Sequence, residues 1–190
     1  MPPTRRCPPG VLRTKKAGPL SGIKVRRRPG TTSLGLVIVG GRAVPAALGR
    51  GGIRADKREG DGATPRGTFR PLRLWWRADR MQRPRTLLPL RRIGPRDAWC
   101  EDPADRRYNR PFELRQGEAG DRLQRDDRLY DLIIEIDHNA RPRIAGRGSA
   151  VFIHVARPGF GPTAGCVALR PADLRRLLEK LSAKTRIEIR

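Results

Sequence analysis

A histidine and a cysteine twelve positions apart are the residues of this chain whose types and spacing could do chemistry. His154 lies at the end of the apolar, β-prone run 151–155, and a Gly/Pro-rich loop leads from it to Cys166, where a second apolar run begins. This separation allows a strand end, a loop and a return, so the thiol can lie beside the imidazole. A free cysteine has a pKa of about 8.5, so a nucleophilic thiol needs a neighbouring base or cation. The spacing therefore indicates a cysteine nucleophile with a histidine partner.

The glycine before the thiol bears on this interpretation. Gly165 leaves room for a substrate carbonyl near the backbone, where the amides of Gly165 and Cys166 are candidate oxyanion donors. The alternative is structural, because buried cysteines are common and inert and a histidine at a strand end more often supports the fold. A glycine and a Pro/Gly-rich loop are unfavourable in a buried core strand, so their presence favours the catalytic interpretation.

Two motifs give the chain a family resemblance. The segment 163–167 (TAGCV), which follows the histidine and its loop, resembles the Ser/Thr-x-Gly-Cys-apolar signature of L,D-transpeptidase catalytic domains of the YkuD type. The segment 59–69 (EGDGATPRGTF) resembles the early DGATPxGxF element of the same family. Three further stretches are similar to one branch of short members: residues 99–102, 108–109 and 130–132. The motifs stand in the family's order, and the resemblance covers roughly residues 34–190.

The resemblance implies acyl transfer through a thioester. Cys166, deprotonated by or ion-paired with His154, would attack the carbonyl of an L,D peptide bond after diaminopimelate in a peptidoglycan stem peptide. A D-amino acid leaves, and a side-chain amine of a second stem takes the acyl group to form the cross-link. No Asp or Glu flanks His154, so a backbone carbonyl is its expected orienting partner. Neither a cofactor nor a metal is expected, because the cysteines and histidines form no metal-ligand pattern.

The chain departs from the commoner family pattern beside the nucleophile. Ala164 and Ala168 stand where histidine and arginine are frequent, and Arg170 is a candidate substitute for that arginine. Because the arginine helps to define the usual pocket, its absence leaves open which stem position is cross-linked. The resemblance also implies that the Gly-rich loop 49–67 forms one wall of the active site. Four more residues are expected substrate contacts, with structural roles as the alternative for the last three: Thr163, Trp99, Asp102 and Tyr108.

The patterning predicts a mainly β domain with one or two short helices. Apolar runs bounded by turn signals predict strands, which are residues 34–39, 42–48, 68–76, 130–136, 151–155 and 185–190. Residues 77–128 are dense in Arg, Asp and Pro without a sustained period, and predict loops and short strands. Pro171 and four leucines at helical spacing predict a helix over 171–181. These elements fit the mixed β-sandwich or barrel-like fold of the family that the chain resembles.

Charge sets the N-terminal segment apart. The chain has 190 residues, which predicts one domain, and a net charge of +23. Residues 1–55 hold twelve basic residues and no acidic one. The composition of residues 1–30 predicts a disordered basic arm, which is followed by a catalytic domain over residues 31–190. Such charge attracts polyanions, so an anionic wall polymer or a membrane surface is a candidate partner; an Arg-rich surface without a partner is the alternative.

Three functions remain open from the sequence. A transpeptidase passes the thioester to an amine, whereas an L,D-carboxypeptidase or endopeptidase with the same Cys166–His154 pair passes it to water. A nucleic-acid-binding module is the least favoured; it would use the basic arm and the Trp75-Trp76 pair that is interleaved with arginines. The shape of the cleft, which decides between the first two, is not readable from sequence.

The substrate implies a location in the periplasm or cell envelope. The N-terminus lacks the apolar region of a signal peptide, and no stretch approaches the ~20 apolar residues that span a bilayer. Export by another route, a different start site or action on precursors in the cytoplasm are the alternatives. The protein is expected to act as a monomer. Of the remaining chemistry-bearing residues, His138 is expected to face solvent in a turn and Cys100 to be a buried or half-buried thiol.

Overall fold

The computed structural model describes residues 18–190. These residues form short β-strands, one α-helix and a 3-10 turn at Pro158–Phe160. The elements in chain order are β1 (Gly22–Arg27), β2 (Leu34–Val39), β3 (Arg42–Ala47), β4 (Ile53–Arg54), β5 (Thr64–Pro65), β6 (Gly67–Phe69), β7 (Pro71–Trp76), β8 (Leu90–Arg92), β9 (Asp97–Trp99), β10 (Pro111–Glu113), β11 (Asp121–Arg122), β12 (Leu132–Ile136), β13 (Phe152–Val155), β14 (Val167–Leu169), α1 (Pro171–Leu178) and β15 (Arg186–Ile189). The predicted mainly β fold is confirmed.

Ten strands form one curled sheet in the order β6-β15-β1-β2-β3-β14-β13-β12-β7-β8. β6 and β7 lie near opposite ends of this order, although Arg70 alone separates them in the chain. Arg70 N–H donates to Asp137 Oδ1 (2.8 Å), and Asp137 N–H donates to the Arg70 carbonyl (3.0 Å). The two ends of the sheet therefore come together, and the sheet curls into an open barrel.

The strand predicted over 68–76 is thus divided in two. Pro71 has no N–H to donate, and the bonds of Arg70 to Asp137 turn the chain at this point. β6 pairs with β15, whereas β7 pairs with β12 and β8. The apolar pattern continues through residues 68–76, so the sequence gives no sign that the pairing partner changes between β6 and β7.

The two faces of the sheet are covered by different layers. On one face, leucines of α1 pack with alternate residues of β13 and β14, such as Ile153 and Val167. On the other face, Phe152 and Cys166 pack under the segment predicted as loops and short strands, which contributes the small sheet β10-β9-β11. Trp99 of that sheet meets Phe152 edge to face, with ring centroids 4.9 Å apart. This second face carries the candidate site.

The predicted boundary of the basic arm is wrong at its C-terminal side. β1 lies within residues 1–30 and pairs with both β2 and β15. Ile23 and Val25 are its buried residues, and the basic side chains between and after them face outward. Alternation with a period of two was masked by the charge of the outward residues. The rest of the predicted arm, residues 1–17, lies outside the described residues.

Other sequence predictions concern the helix and the tryptophan pair. The predicted helix is confirmed as α1, and Leu181 beyond its end is still buried. Trp75 and Trp76 are buried, so they offer no exposed rings on which bases could stack. Among residues 18–190, no helix is long and apolar enough to cross a membrane.

Candidate active site

Two neighbouring parallel strands place the histidine and the cysteine on one face of the sheet. β13 and β14 pair with His154 opposite Ala168, so Cys166, just before β14, stands level with Phe152. Alternate residues of a strand share a face, which puts Cys166 and His154 on the same side and two positions apart. Both line a cleft of about 400 Å³. The structure therefore brings together the two residues that the sequence singled out.

The thiol of Cys166 is held by backbone groups. The N–H of Phe152 donates to Sγ (3.3 Å), and the thiol donates to the carbonyl of Ala150 (3.2 Å). Ala150 has a φ of +50°, which is uncommon for a residue with a side chain, and its N–H donates to Asn109 Oδ1 (3.2 Å). Burial raises the pKa of Cys166 to about 12. The resting group is a thiol.

The imidazole of His154 is oriented by the backbone. Nδ1 lies 2.9 Å from the carbonyl oxygen of Val155. Because a carbonyl only accepts, Nδ1 carries the proton and Nε2 is the basic nitrogen. The backbone partner expected from the sequence is confirmed.

The two side chains are both uncharged at rest. Burial lowers the pKa of His154 to about 4, as it raises that of Cys166. Among the described residues, the hydrogen bonds of Cys166 Sγ go to Phe152 and Ala150 and none joins it to His154. Of the two states expected from the sequence, the resting geometry corresponds to a neutral thiol and imidazole, not to an ion pair.

Gly165 has a backbone that few other residues could adopt. Its φ is +143°, and a Cβ at this position would lie 2.8 Å from the carbonyl oxygen of Ala63. Thr163 Oγ1 accepts from Gly165 N–H (3.1 Å) and donates to the Cys166 carbonyl (2.7 Å). Thr163 thus holds the nucleophile loop in shape. The Gly165 amide, predicted as an oxyanion donor, is engaged at rest; the oxyanion role of the Cys166 amide stays a prediction.

The early motif lies directly behind the nucleophile. Asp61 forms an ion pair with buried Lys57 (2.6 Å) and accepts two backbone N–H groups, which fixes the loop. Thr64 Oγ1 accepts from Gly49 N–H (2.8 Å) and lies 3.4 Å from the Cys166 carbonyl oxygen. The two motifs are therefore parts of one site, and the loop 49–67 does form a wall of the cleft.

Of the predicted substrate contacts, Thr163 lines the cleft and four others do not. Trp99 and Tyr108 are buried behind it, where the indole N–H donates to Asn109 Oδ1 (2.9 Å) and the phenol donates to Glu59. Asp102 is exposed and accepts a backbone N–H in its own turn, that of Ala104 (2.9 Å).

The fourth residue, Arg170, does not replace the family's arginine. It immediately precedes α1, and its guanidinium lies over the ring of Phe160, 5.2 Å from the centroid. The guanidinium of Arg170 therefore makes a cation–π contact with Phe160, and Arg170 does not line the cleft.

Charged residues that the sequence did not single out line the cleft. The acidic ones are Glu59, Glu101 and Asp121, and the basic ones are Arg50, Lys57, Arg125 and Arg157. Burial, followed by the charges of Asp121 and Glu59, raises the pKa of Glu101 to about 7. Most of these side chains come from loops with no period, so no sequence pattern marked them. Within residues 18–190, no three His, Cys, Asp or Glu residues are grouped so that they could hold a metal ion.

His138 and Cys100 stand outside the cleft. His138 is partly buried, contrary to the solvent-facing prediction, because its ring packs edge to face with Phe69 (5.6 Å) and Nε2 lies 3.1 Å from the carbonyl oxygen of Arg147. Cys100 is a buried thiol, as predicted, and burial raises its pKa.

Comparison with known proteins gives one match. The family model of the L,D-transpeptidase catalytic domain, YkuD, matches residues 28–189, which is most of the chain and includes both motifs and both reactive residues. No curated protein and no solved structure matches the chain.

Proposed function

The chain belongs to the L,D-transpeptidase catalytic domain family, and from this membership we propose that it cross-links peptidoglycan stem peptides through a thioester on Cys166. The observation that carries the proposal is the placement of Cys166 and His154 on one face of two parallel strands, in one cleft. The proposed donor is a stem peptide with an L,D bond, and the proposed acceptor is the side-chain amine of a second stem.

The first half-reaction forms the acyl-enzyme. His154 Nε2 takes the thiol proton as Sγ attacks the carbonyl carbon of the donor. A neutral imidazole is a competent acceptor, and it is the form present at pH 7 because its pKa is near 4. The C–N bond breaks, and the leaving amine receives the proton from the imidazolium. Burial disfavours a free ion pair, so proton transfer is coupled to the attack.

The second half-reaction resolves the thioester. The acceptor amine attacks the thioester carbonyl and gives its proton to Nε2. The C–S bond breaks, and the thiolate of Cys166 recovers its proton from the imidazolium. With water in place of the amine, the same steps make the protein an L,D-carboxypeptidase or endopeptidase, so the choice of acceptor separates the two activities.

The test is incubation of the purified protein with tetrapeptide-stem muropeptides, followed by mass spectrometry. We expect dimers from the wild type and from Cys100→Ala, and none from Cys166→Ala, since Cys100 is a buried thiol outside the cleft. Thermal melts check that both variants fold. Shortened monomers without dimers would assign the hydrolase activity instead, and unchanged substrate with the wild type would contradict both.

A further inference from the structure

A second cavity, of about 680 Å³, lies beside the catalytic cleft. The loops on either side of it follow β9 and β12, and Val151 lines both this cavity and the cleft. Four arginines line it, and together they define what we call the arginine groove: Arg73, Arg110, Arg141 and Arg143.

Three of these arginines have no carboxylate partner in the part of the chain that the structure describes. Arg73 is paired with Glu135 (3.0 Å), whereas within residues 18–190 no carboxylate lies within 4.0 Å of Arg110, Arg141 or Arg143. Residues 1–17 contain no Asp or Glu that could neutralise them. Burial and the charges of Arg110 and Arg141 lower the pKa of Arg143, and the charge of Glu135 acts in the opposite direction, so Arg143 is repelled by the other two arginines. A bound anion would relieve this repulsion.

The loops that carry the arginines are fixed before any ligand binds. Asn109 precedes Arg110, and its side-chain nitrogen donates to the carbonyls of His138 (3.1 Å) and Asn139 (2.9 Å). Arg143 Nε donates to the Asn109 carbonyl (3.2 Å). The backbone of these loops therefore needs little reordering when a ligand binds, which favours affinity.

The same asparagine connects the groove with the nucleophile. Asn109 Oδ1 accepts from Ala150 N–H (3.2 Å), and the Ala150 carbonyl accepts the thiol of Cys166 (3.2 Å). The groove and the thiol are thus joined by one hydrogen-bonded backbone segment, and Val151 in the same segment lines both the groove and the cleft.

We propose, in an inference that rests on the proposed function, that the arginine groove binds a carboxylate of the acceptor stem peptide. The amine of that peptide then reaches the thioester past Val151. A guanidinium offers two parallel N–H donors, which match a carboxylate. Glu135 and Asp137 also line the groove. A lining of both signs suits a peptide that carries carboxylates and an ammonium group better than a chain of phosphates.

Binding is tested without chemistry in the full chain carrying Cys166→Ala. The probe is the tripeptide L-Ala-γ-D-Glu-diaminopimelate, titrated by calorimetry. We expect Arg110→Gln/Arg141→Gln/Arg143→Gln to raise the Kd at least about tenfold, as expected for losing charge-assisted hydrogen bonds. The control triple Arg26→Gln/Arg27→Gln/Arg42→Gln removes the same charge at exposed strand positions and leaves the Kd within about twofold. Thermal melts confirm folding.

Equal Kd values for the two triple variants would overturn the inference, as would tighter binding of polyglycerol phosphate than of the tripeptide at the groove. In the muropeptide reaction with intact Cys166, the groove triple should lose dimers while donor turnover to water persists. A parallel loss of both products would overturn the acceptor assignment. Groove-dependent tripeptide binding by a wild type that makes no product would contradict the proposed function alone, and would leave the carboxylate site standing.

Discussion

At the scale of single residues, burial controls the state of the reactive pair. Cys166 and His154 are held by backbone carbonyls and amides, and burial shifts each pKa toward the neutral form. A thiol kept in this state is protected from oxidants and alkylating agents, because the thiolate is the reactive form. Transfer of the thiol proton to His154 then leads to acyl transfer only when a substrate carbonyl in the cleft is attacked at the same time.

This state predicts slow alkylation of Cys166. A pKa of about 12 in place of the value of about 8.5 for a free cysteine lowers the thiolate fraction at pH 8 by a factor on the order of 10³. We expect iodoacetamide to label Cys166 at least about 100-fold more slowly than it labels glutathione at pH 8. Peptide mapping by mass spectrometry reports each cysteine separately. Labelling at the rate of an exposed thiol would contradict the raised pKa of Cys166.

His154 predicts a pH dependence of stability. Its pKa is about 4 in the folded state and 6.5 in the unfolded state, so the unfolded chain binds more protons between these values. The His154 contribution is therefore complete above pH 6.5 and is lost as the pH falls toward 4, by up to about 1.4 kcal/mol per pH unit. The measurement is urea unfolding of the wild type and His154→Gln at several pH values.

The comparison with His154→Gln isolates this effect from the carboxyl groups. The raised pKa of Glu101 has the opposite sign, because the folded state then holds the proton and stability falls as the pH rises from 4.5 through 7. That contribution is common to both proteins and cancels in the difference. A difference in unfolding free energy that stays constant from pH 7 to pH 4 would contradict the buried, neutral imidazole.

At the scale of elements, the nucleophile loop depends on one glycine. Gly165→Ala would place a Cβ 2.8 Å from the Ala63 carbonyl oxygen at a φ of +143°. We expect a loss of about 1–3 kcal/mol in unfolding free energy and a loss of at least about 100-fold in acyl transfer, because the thiol is displaced. Gly161→Ala is the matched control in the same loop, since a Cβ there meets nothing within 4 Å. Equal activities of the two variants would contradict the assigned role of Gly165.

The elements readable from sequence are those whose signal is local. The apolar run of β13 and the leucine spacing of α1 identify both elements, and the spacing from His154 to Cys166 identifies the reactive pair. β1 was missed because Lys24 and Arg26 mask its buried positions, and the split between β6 and β7 depends on strand partners far away in the chain.

The charged side chains that line the rest of the cleft could not be predicted for the same reason. Glu101 and Arg125 belong to loops whose positions are set by tertiary contacts, such as the packing of Trp99 on Phe152. Trp99 and Tyr108 were predicted near the substrate, but both are buried behind the catalytic cleft, and Trp99 lines the second cavity instead. Sequence spacing identifies the reactive residues Cys166 and His154, whereas the positions of the side chains that contact the substrate depend on how the loops pack.

At the scale of the whole molecule, the curled sheet depends on strands from both ends of the described chain. β1 and β15 lie side by side and are joined in parallel register, with Ile23 opposite Ile187. β15 also pairs with β6, whose successor β7 begins the opposite part of the sheet. The N-terminal strand is therefore a structural part of the domain, although it belongs to the most basic segment of the sequence.

This arrangement predicts a sharp threshold in N-terminal truncation. Deleting residues 1–17 removes five basic residues and none of the described strands. Deleting residues 1–27 also removes β1, which exposes Ile187 and Ile189 and leaves β2 and β15 without their shared partner. The longer truncation loses four residue pairs between β1 and β15 and four between β1 and β2. We therefore expect the variant without residues 1–17 to keep the wild-type Tm within a few degrees. The variant without residues 1–27 is expected to unfold below about 37 °C.

The threshold also decides how the basic segment is tested for a polyanionic partner. A truncation that removes β1 would weaken binding through unfolding, whereas removal of residues 1–17 lowers the charge and leaves the sheet intact. If the segment binds an anionic polymer, removal of residues 1–17 reduces the affinity and flattens its dependence on salt, as expected when fewer ion contacts form. Circular dichroism melts of both truncations come first, and equal Tm values for the two would contradict a structural role of β1.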